Sequence, residues 1–360
     1  MRPASESPWI DAARAYVPRK PDPRISWFLD ANEGRPLPSV SAAIAAALSG
    51  PSGGVSRYPS FYELEAAVAQ KWSVDPARIV VTGGGDDAIG RICMTRLAPG
   101  SKILVHEPAF EMFGVHARVR GATVMGLTWL DGTPFPLPAT IEAVMHDTSL
   151  GIATAVSPCN PTGGAVTREE ALALADACAE SGCAFLFDAA YGEFADDDPT
   201  PALVEDGSAY IVRSFSKAYG LAGLRLGYAI APDADRAGAL RSCGMPYPSS
   251  SLAAVAAMAA LADTEGVAAA IATVRKERAV LADALRSLGA KVADPKANFV
   301  LARVGNPAGL AEHMAASGVA IRSYGGKALL ENAVRISCPC DAAGLAVVLE
   351  ALDQAKEYIA

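Results

Sequence analysis

Long hydrophobic runs are what this sequence most plainly lacks. Its longest apolar stretch, residues 252–262, is mostly alanine and stops at Asp263. That is well short of the roughly 20 residues a helix needs to cross a bilayer, so no membrane partner is expected. Clustered basic residues are missing too: 31 Lys and Arg stand against 39 Asp and Glu, a net charge of −8. A phosphate backbone is bound by concentrated positive charge, so nucleic acid is a poor ligand here and a small molecule or a protein the better one. Residues 1–20 carry Glu6 and Asp11 and no continuous apolar core, so no signal peptide is read there. The seven cysteines are odd in number and scattered from Cys93 to Cys340. Reduced thiols in a cytoplasm are expected from that pattern, not a disulfide framework. Cys338-Pro339-Cys340 lacks the spacing and the second pair of a zinc knuckle, and the four histidines lie far away in sequence, so no metal site is expected. No internal repeat or low-complexity linker interrupts the chain.

What is present is enough for two cores. The 360 residues are 51% apolar, and a chain of this length exceeds what one core usually organises. Short β-rich runs at 79–82, 103–106, 152–156, 184–187, 210–214 and 227–230 alternate with amphipathic helical stretches. That rhythm predicts an α/β fold, a mainly parallel sheet flanked by helices. Ser60 with Glu63 and Thr167 with Glu170 have capping-box spacing, and the second predicts a helix that stops at Gly182. Past Pro246 comes one long alanine-rich helical region from Ser250 to about Leu288. β-like runs at 298–304, 319–322 and 334–337 follow, with helices over 307–317 and 342–355. We read a large domain over 30–245 and a smaller α/β domain made of 1–29 and 246–360.

Four strand ends carry the chemistry. Ser214-Phe215-Ser216-Lys217 follows the 210–214 run, with Arg225 eight residues beyond the lysine. A lysine amine kept from being locked as ammonium forms an imine with an aldehyde. Ser214, Ser216 and Arg225 supply the hydroxyls and guanidinium fork that a phosphate tail requires. Pyridoxal phosphate (PLP), an aldehyde cofactor with a phosphate tail, is the ligand expected there. Asp188 ends the 184–187 run, where open α/β sheets place ligands. It can hold a pyridinium nitrogen protonated, while Tyr191, three residues on, bonds the ring's phenolic oxygen. Asn160, in Asn-Pro-Thr-Gly after the 152–156 run, can donate to that same oxygen. Thr82-Gly83-Gly84-Gly85-Asp86-Asp87 joins a strand to a helix and leaves backbone N–H groups for an anion. Its spacing departs from Gly-x-Gly-x-x-Gly, since Ala88 stands where the third glycine belongs, so a dinucleotide is the weaker reading. Taken singly, each of these is common: a polar-turn lysine, an aspartate helix cap, a bare turn.

In this order the elements resemble the fold-type I PLP aminotransferases, an aspartate aminotransferase-like fold, and within them the histidinol-phosphate aminotransferase-like branch. The likeness takes in Leu29-Asp30-Ala31-Asn32-Glu33, Arg57-Tyr58-Pro59, the glycine loop, Glu107-Pro108-Ala109-Phe110, Asn160 to Gly163, Asp188 with Tyr191, Ser214 to Lys217, Arg225, and Val334-Arg335-Ile336-Ser337. It implies that Gly84, Gly85 and Asp86 offer phosphate-facing amides, that Phe110 covers the ring, and that Lys217 both anchors the cofactor and shuttles the α-proton. It also implies that Arg335 clamps the substrate carboxylate with Asn32 nearby. Tyr58 would reach the cofactor phosphate of a second subunit in a homodimer with shared sites. Phe110 replaces the family's usual tyrosine, Gly34-Arg35-Pro36 replaces an Asn-Pro-Tyr-Gly-like gate, and Cys338-Pro339-Cys340 replaces a Val-Gly-Thr-like turn. Arg322 and Arg35 are candidate cations for a second substrate anion such as a phosphate ester. The expected activity is transfer of an amino group from a histidinol-phosphate-like or aromatic amino compound to a 2-oxo acid, with glutamate and 2-oxoglutarate the family's usual pair. The rivals are an amino-acid decarboxylase acting on a substrate such as phosphothreonine, and a non-catalytic PLP sensor, which would need a DNA-binding module that the sequence does not show.

Overall fold

The computed structural model describes residues 22–50 and 55–360, so the readings that concern residues 1–21 lie outside it. Twelve strands run in chain order: β1 Trp27–Phe28, β2 Ile79–Thr82, β3 Lys102–Glu107, β4 Thr123–Thr128, β5 Leu150–Val156, β6 Ala184–Asp188, β7 Tyr210–Ser214, β8 Gly227–Ile230, β9 Phe299–Arg303, β10 Val319–Ala320, β11 Arg322–Ser323 and β12 Ala333–Ser337. Seven of them form the main sheet in the order β2-β8-β7-β6-β5-β3-β4. Its pairings are parallel except for β8, which runs antiparallel to both β2 and β7. Strands β2, β6, β7 and β8 are buried at every position, the condition of strands covered by helices on both faces. The carboxyl ends of β2, β5, β6 and β7 therefore open on one edge. On that edge Thr82 and Ser214 both lie opposite Gly227, and Asp188 lies opposite Val156.

Local signals were met unevenly. Thr167 Oγ1 accepts from Glu170 N at 3.2 Å, Glu170 Oε2 accepts from Thr167 N at 2.8 Å, and the helix Arg168–Ser181 ends on Gly182 at φ 76°. The Ser60–Glu63 box does not form. That helix, Tyr62–Trp72, starts two residues after Ser60, with Phe61 at the cap position and no side-chain cap. Thr167→Ala should lower stability by about 1 kcal/mol, seen as a lower urea midpoint at unchanged slope, whereas Ser60→Ala should leave the midpoint unmoved. The long alanine-rich region is two helices, Ser251–Ala262 and Thr264–Ser287, bent by 83° at Asp263. The Asp263 carboxylate causes the break: it accepts from Gly266 N at 2.9 Å and from Ser39 Oγ at 2.6 Å, so it caps a new helix instead of continuing the old one. Among the described residues no single helix is long and apolar enough to cross a membrane.

Hydrophobic packing forms two large clusters and a small third one of Leu301, Tyr324, Leu330 and Ala333. Ala253, Ala256, Ala257, Ala260, Val267 and Val274 pack into the larger core with the main sheet. The second cluster takes in Leu281, Val300 and Ala302 of β9, Val334 and Ile336 of β12 and the C-terminal helices, while Phe299 of β9 packs into the larger one. The alanine face of Ser251–Ala262 lies against the helix Pro38–Ser49, which draws it into the larger body. Residues 27–29 join the smaller one: β1 pairs in parallel with β10, and Leu29 is in the smaller core.

Candidate active site

The glycine loop is shaped by its own polar groups. Thr82 Oγ1 donates to Gly84 O at 2.9 Å, and Asp87 Oδ2 accepts from Gly83 N at 2.8 Å. Gly84 stands at φ 94°, where a side chain is strained, and a Cβ there would lie 2.8 Å from Arg225 Nη2. The Arg225 guanidinium thus covers the loop, at the start of the helix Gly85–Arg96 whose first N–H groups have no helical partner. A Cβ on Gly227 would lie 2.8 Å from Gly85 N, so β8 presses its backbone against the same turn. Ser214 and Ser216 are buried beside it, and Ser214 Oγ accepts from Ser216 N at 3.1 Å. Asp86 turns its carboxylate to His116 Nε2, 3.0 Å away. Fixed N–H groups, buried hydroxyls and a guanidinium make this end an anion cradle.

Asp188 lies at the other end, buried at the tip of β6. Its Oδ1 accepts from Ala190 N at 3.0 Å, so it does serve the turn, with acceptor capacity to spare. Burial pushes its carboxyl up to about 6, opposed by the Ala190 N–H and by the charges of Arg213 and Lys217. Buried Tyr191 accepts at its hydroxyl from Asn32 Nδ2 at 3.0 Å, which leaves the phenolic proton free to be donated elsewhere. Asn32 is itself fixed: its Oδ1 accepts from Ser337 Oγ at 2.9 Å, its N donates to Ser337 Oγ at 3.0 Å, and its carbonyl accepts from Asn298 Nδ2 at 3.1 Å. It orients the tyrosine, with its side chain committed. Arg335 Nη1 donates to Asn160 Oδ1 and Nη2 donates to Asp30 O at 2.7 Å. The first bond turns the Asn160 NH2 outward as a donor. Arg335 Nε is buried without a partner, free for an incoming acceptor.

Lys217 lies between the two ends. Its Nζ donates to Ala31 O at 3.0 Å and sits 5.5 Å from the Tyr191 ring centre. Burial, aided by the charges of Arg335 and Arg225, pulls its ammonium down to about 7, against Glu33 and Asp188. At neutral pH much of it is a free amine, able to attack a carbonyl carbon and to take up a proton. The roof over it is close: a Cβ on Gly34 would lie 2.1 Å from Lys217 O, and one on Gly220 would lie 2.1 Å from Arg35 O.

The other candidates divide. Phe110 is half-buried, edge-on to Phe113 at 6.2 Å. Arg35 is not a free substrate cation, since it pairs with Asp341 and covers the Trp27 ring at 5.0 Å. Cys338 and Cys340 are free thiols, and their turn is held by the Glu277 carboxylate, which accepts from the N–H groups of Cys340 and Asp341 at 2.7 Å each. Sequence reasoning missed the roles of Ser337, Asn298 and the Ala31 carbonyl, whose partners lie 186 to 305 positions away.

The model of the aminotransferase class I and II family matches residues 28–352. The chain belongs to this aminotransferase family. A histidinol-phosphate aminotransferase from Halorubrum lacusprofundi is 37% identical over 324 residues, 88% of this chain and 85% of that one. An aromatic amino acid aminotransferase from Streptomyces coelicolor is 31% identical over 330 residues, 88% of this chain and 90% of that one. Among solved structures, the histidinol-phosphate aminotransferase from Sinorhizobium meliloti, in complex with pyridoxal-5'-phosphate, superposes with a TM-score of 0.86 at 25% identity. That match covers 98% of this chain and 97% of the other. The aspartate aminotransferase from Thermus thermophilus shares the fold at a TM-score of 0.81 and 23% identity, covering 98% and 99%. This aminotransferase is thus a transaminase of fold type I, in a PLP-dependent family whose reaction moves an amino group from a donor to an oxo acid.

Proposed function

We propose that the aminotransferase holds PLP covalently through Lys217 and moves an amino group from a phosphorylated, histidinol-phosphate-like amine to a 2-oxo acid, with glutamate and 2-oxoglutarate as the usual pair. The residues fit that cofactor. The Gly84–Arg225 cradle takes a phosphate, Asp188 has a free acceptor position for a ring N–H, and the hydroxyl of Tyr191 and the amide of Asn160 can both donate to a phenolic oxygen. When bound, PLP supplies an electron-withdrawing ring that makes the substrate's α-proton removable. Asp188 keeps that ring protonated, Lys217 takes and returns the α-proton, and Arg335 holds the α-carboxylate through a guanidinium fork.

The observation that carries the substrate reading is the register of β11 on β12. Arg322 lies directly opposite Arg335 in an antiparallel pair, so both side chains leave the same face. Their guanidinium carbons lie 5.9 Å and 6.0 Å from the ring centre of Tyr324, and Arg322 is exposed. Two neighbouring cations suit a donor with an anion at each end. Arg322→Ala should raise KM for histidinol phosphate by about tenfold or more, the worth of one charged hydrogen bond, and leave phenylalanine nearly unaffected. Equal effects on both donors would remove Arg322 from substrate recognition and favour an aromatic amino acid. A homodimer belongs to the same reading. Tyr58 is 79% exposed and stacks on Tyr247 at 4.4 Å, and Val55, Tyr62 and Met245 are exposed as well. A second copy would cover these apolar side chains and bring Tyr58 to its partner's phosphate cradle.

A further inference from the structure

One strongly charged group lies outside every role assigned so far. Arg213, in β7 next to Ser214, is 1% exposed, among the largest fully buried side chains of the protein. Successive side chains on a strand point to opposite faces, so Arg213 points away from the face that Ser214 serves. Its Nη1 pairs with Asp198 Oδ2 at 2.6 Å and donates to Thr200 Oγ1 at 2.9 Å, and its Nη2 meets Glu193 Oε1 at 2.6 Å. Glu193 is nearly as buried and accepts no aligned hydrogen bond, so this ion pair is its compensation. The guanidinium carbon lies 4.9 Å from the Trp72 ring centre, which closes the remaining side. A Cβ on Gly192 would lie 2.4 Å from Nη1, so the turn after Tyr191 is packed onto the guanidinium with no room for a side chain.

All three partners of Arg213 belong to the one segment, 193–200, that follows Asp188 and Tyr191. We propose that Arg213 is a positioning residue of the transamination site: through Glu193 and Asp198 it fixes the turn that sets Asp188 and Tyr191 against the ring. The proposal rests on the assignment of PLP to this site. A second observation agrees with it. Burial raises the Asp188 carboxyl, and the Arg213 charge is one of the forces that oppose the rise, together with the Ala190 N–H and Lys217, while Asp86 adds to it. The other charged groups facing Arg213 are Lys71, whose Nζ donates to the Tyr219 hydroxyl at 2.6 Å, and the two carboxylates already named.

The test uses the holoenzyme with two variants. Arg213→Lys keeps the charge and loses the fork. The double variant Arg213→Met, Glu193→Gln removes both buried charges together, and Asp198 retains its bonds from Thr200. Four quantities are read: kcat, PLP dissociation constant, thermal midpoint, and the pH midpoint of the bound cofactor's visible absorbance. A displaced catalytic turn should lower kcat by about ten- to a hundredfold in the double variant, with weaker PLP binding. Its absorbance midpoint should move upward, because a ring nitrogen held less firmly in its protonated state draws fewer electrons from the imine, which then keeps its proton to higher pH. In Arg213→Lys the midpoint should stay near the parent value, since the charge is kept, while kcat falls by about tenfold. This second variant decides the matter should the double one not fold. A lower thermal midpoint with kcat and absorbance unchanged would make Arg213 a core support only and overturn the proposal. A parent protein that takes up no PLP would overturn the cofactor assignment and this proposal with it.

Discussion

Lys217→Ala should abolish transamination, with kcat lower by on the order of 10⁴-fold or more, because in the proposed function one amine serves as both the covalent anchor and the proton shuttle. Borohydride reduction should fix PLP to the parent chain at Lys217 and leave the variant unlabelled. A variant that turns over as fast as the parent would end this account of the site. The pH dependence of cofactor capture follows from the same residue. Burial and nearby guanidinium groups bring its ammonium down to about 7, and the reactive form is the neutral one above that value. Capture of PLP by the apoprotein should therefore be nearly flat above about pH 8 and slow by about tenfold per pH unit below about 6. A lysine of ordinary basicity, near 10.5, would instead keep gaining rate through pH 9.

Asp188→Asn should cut kcat by on the order of 10²- to 10³-fold, the usual effect of removing one fixed charge aimed at a reacting group, and should stabilise the apoprotein. The sign comes from proton linkage. The Asp188 carboxyl is raised from 3.8 to about 6 by burial, so between those values the folded chain holds more protons than the unfolded one. Stability falls as pH rises through that window, and the loss is complete above it, on the order of 2–3 kcal/mol at neutral pH. Asparagine carries no charge and can still accept from Ala190 N. Urea midpoints of the two apoproteins should thus differ at pH 7 and converge near pH 4. A variant less stable than the parent at pH 7 would show that Asp188 is held ionised at no cost.

Much of this was legible in the chain because the signals are local. The six anticipated strands of the main sheet stand within two residues of their expected limits, since each is a short, mostly apolar run and five of the six are closed by Gly, Pro or Asp. Strand β4, Thr-Val-Met-Gly-Leu-Thr, was missed: it is an edge strand, half-exposed and broken by Gly126, with too little apolar contrast to be seen. The bend at Asp263 left a trace in Asp-Thr-Glu-Gly, a helix-start pattern hidden between two alanine-rich stretches. The division of the cores left none, because alanine fits either one. Residue types at the site were readable from strand ends; their pairings were not. Asn32 is 159 positions from Tyr191 and Asn160 is 175 from Arg335, and only the folded chain brings them together. Arg213 did leave a hint, as the one charge in an otherwise apolar strand.

The two glycine contacts at the roof bear on how such an enzyme can be retuned. Gly34 and Gly220 let the stretch around Arg35 lie backbone to backbone on the loop of Lys217, with no gap for a methyl group on either side. That seam resists mutation, so new donor preferences cannot be engineered through it. The ribbon of Arg322 and Ser323 carries no such constraint: Arg322 is exposed, Ser323 is half-buried, and the ribbon pairs at an edge with a single strand, β12. Libraries aimed at altered selectivity belong there, and the lysine loop is best left as inherited.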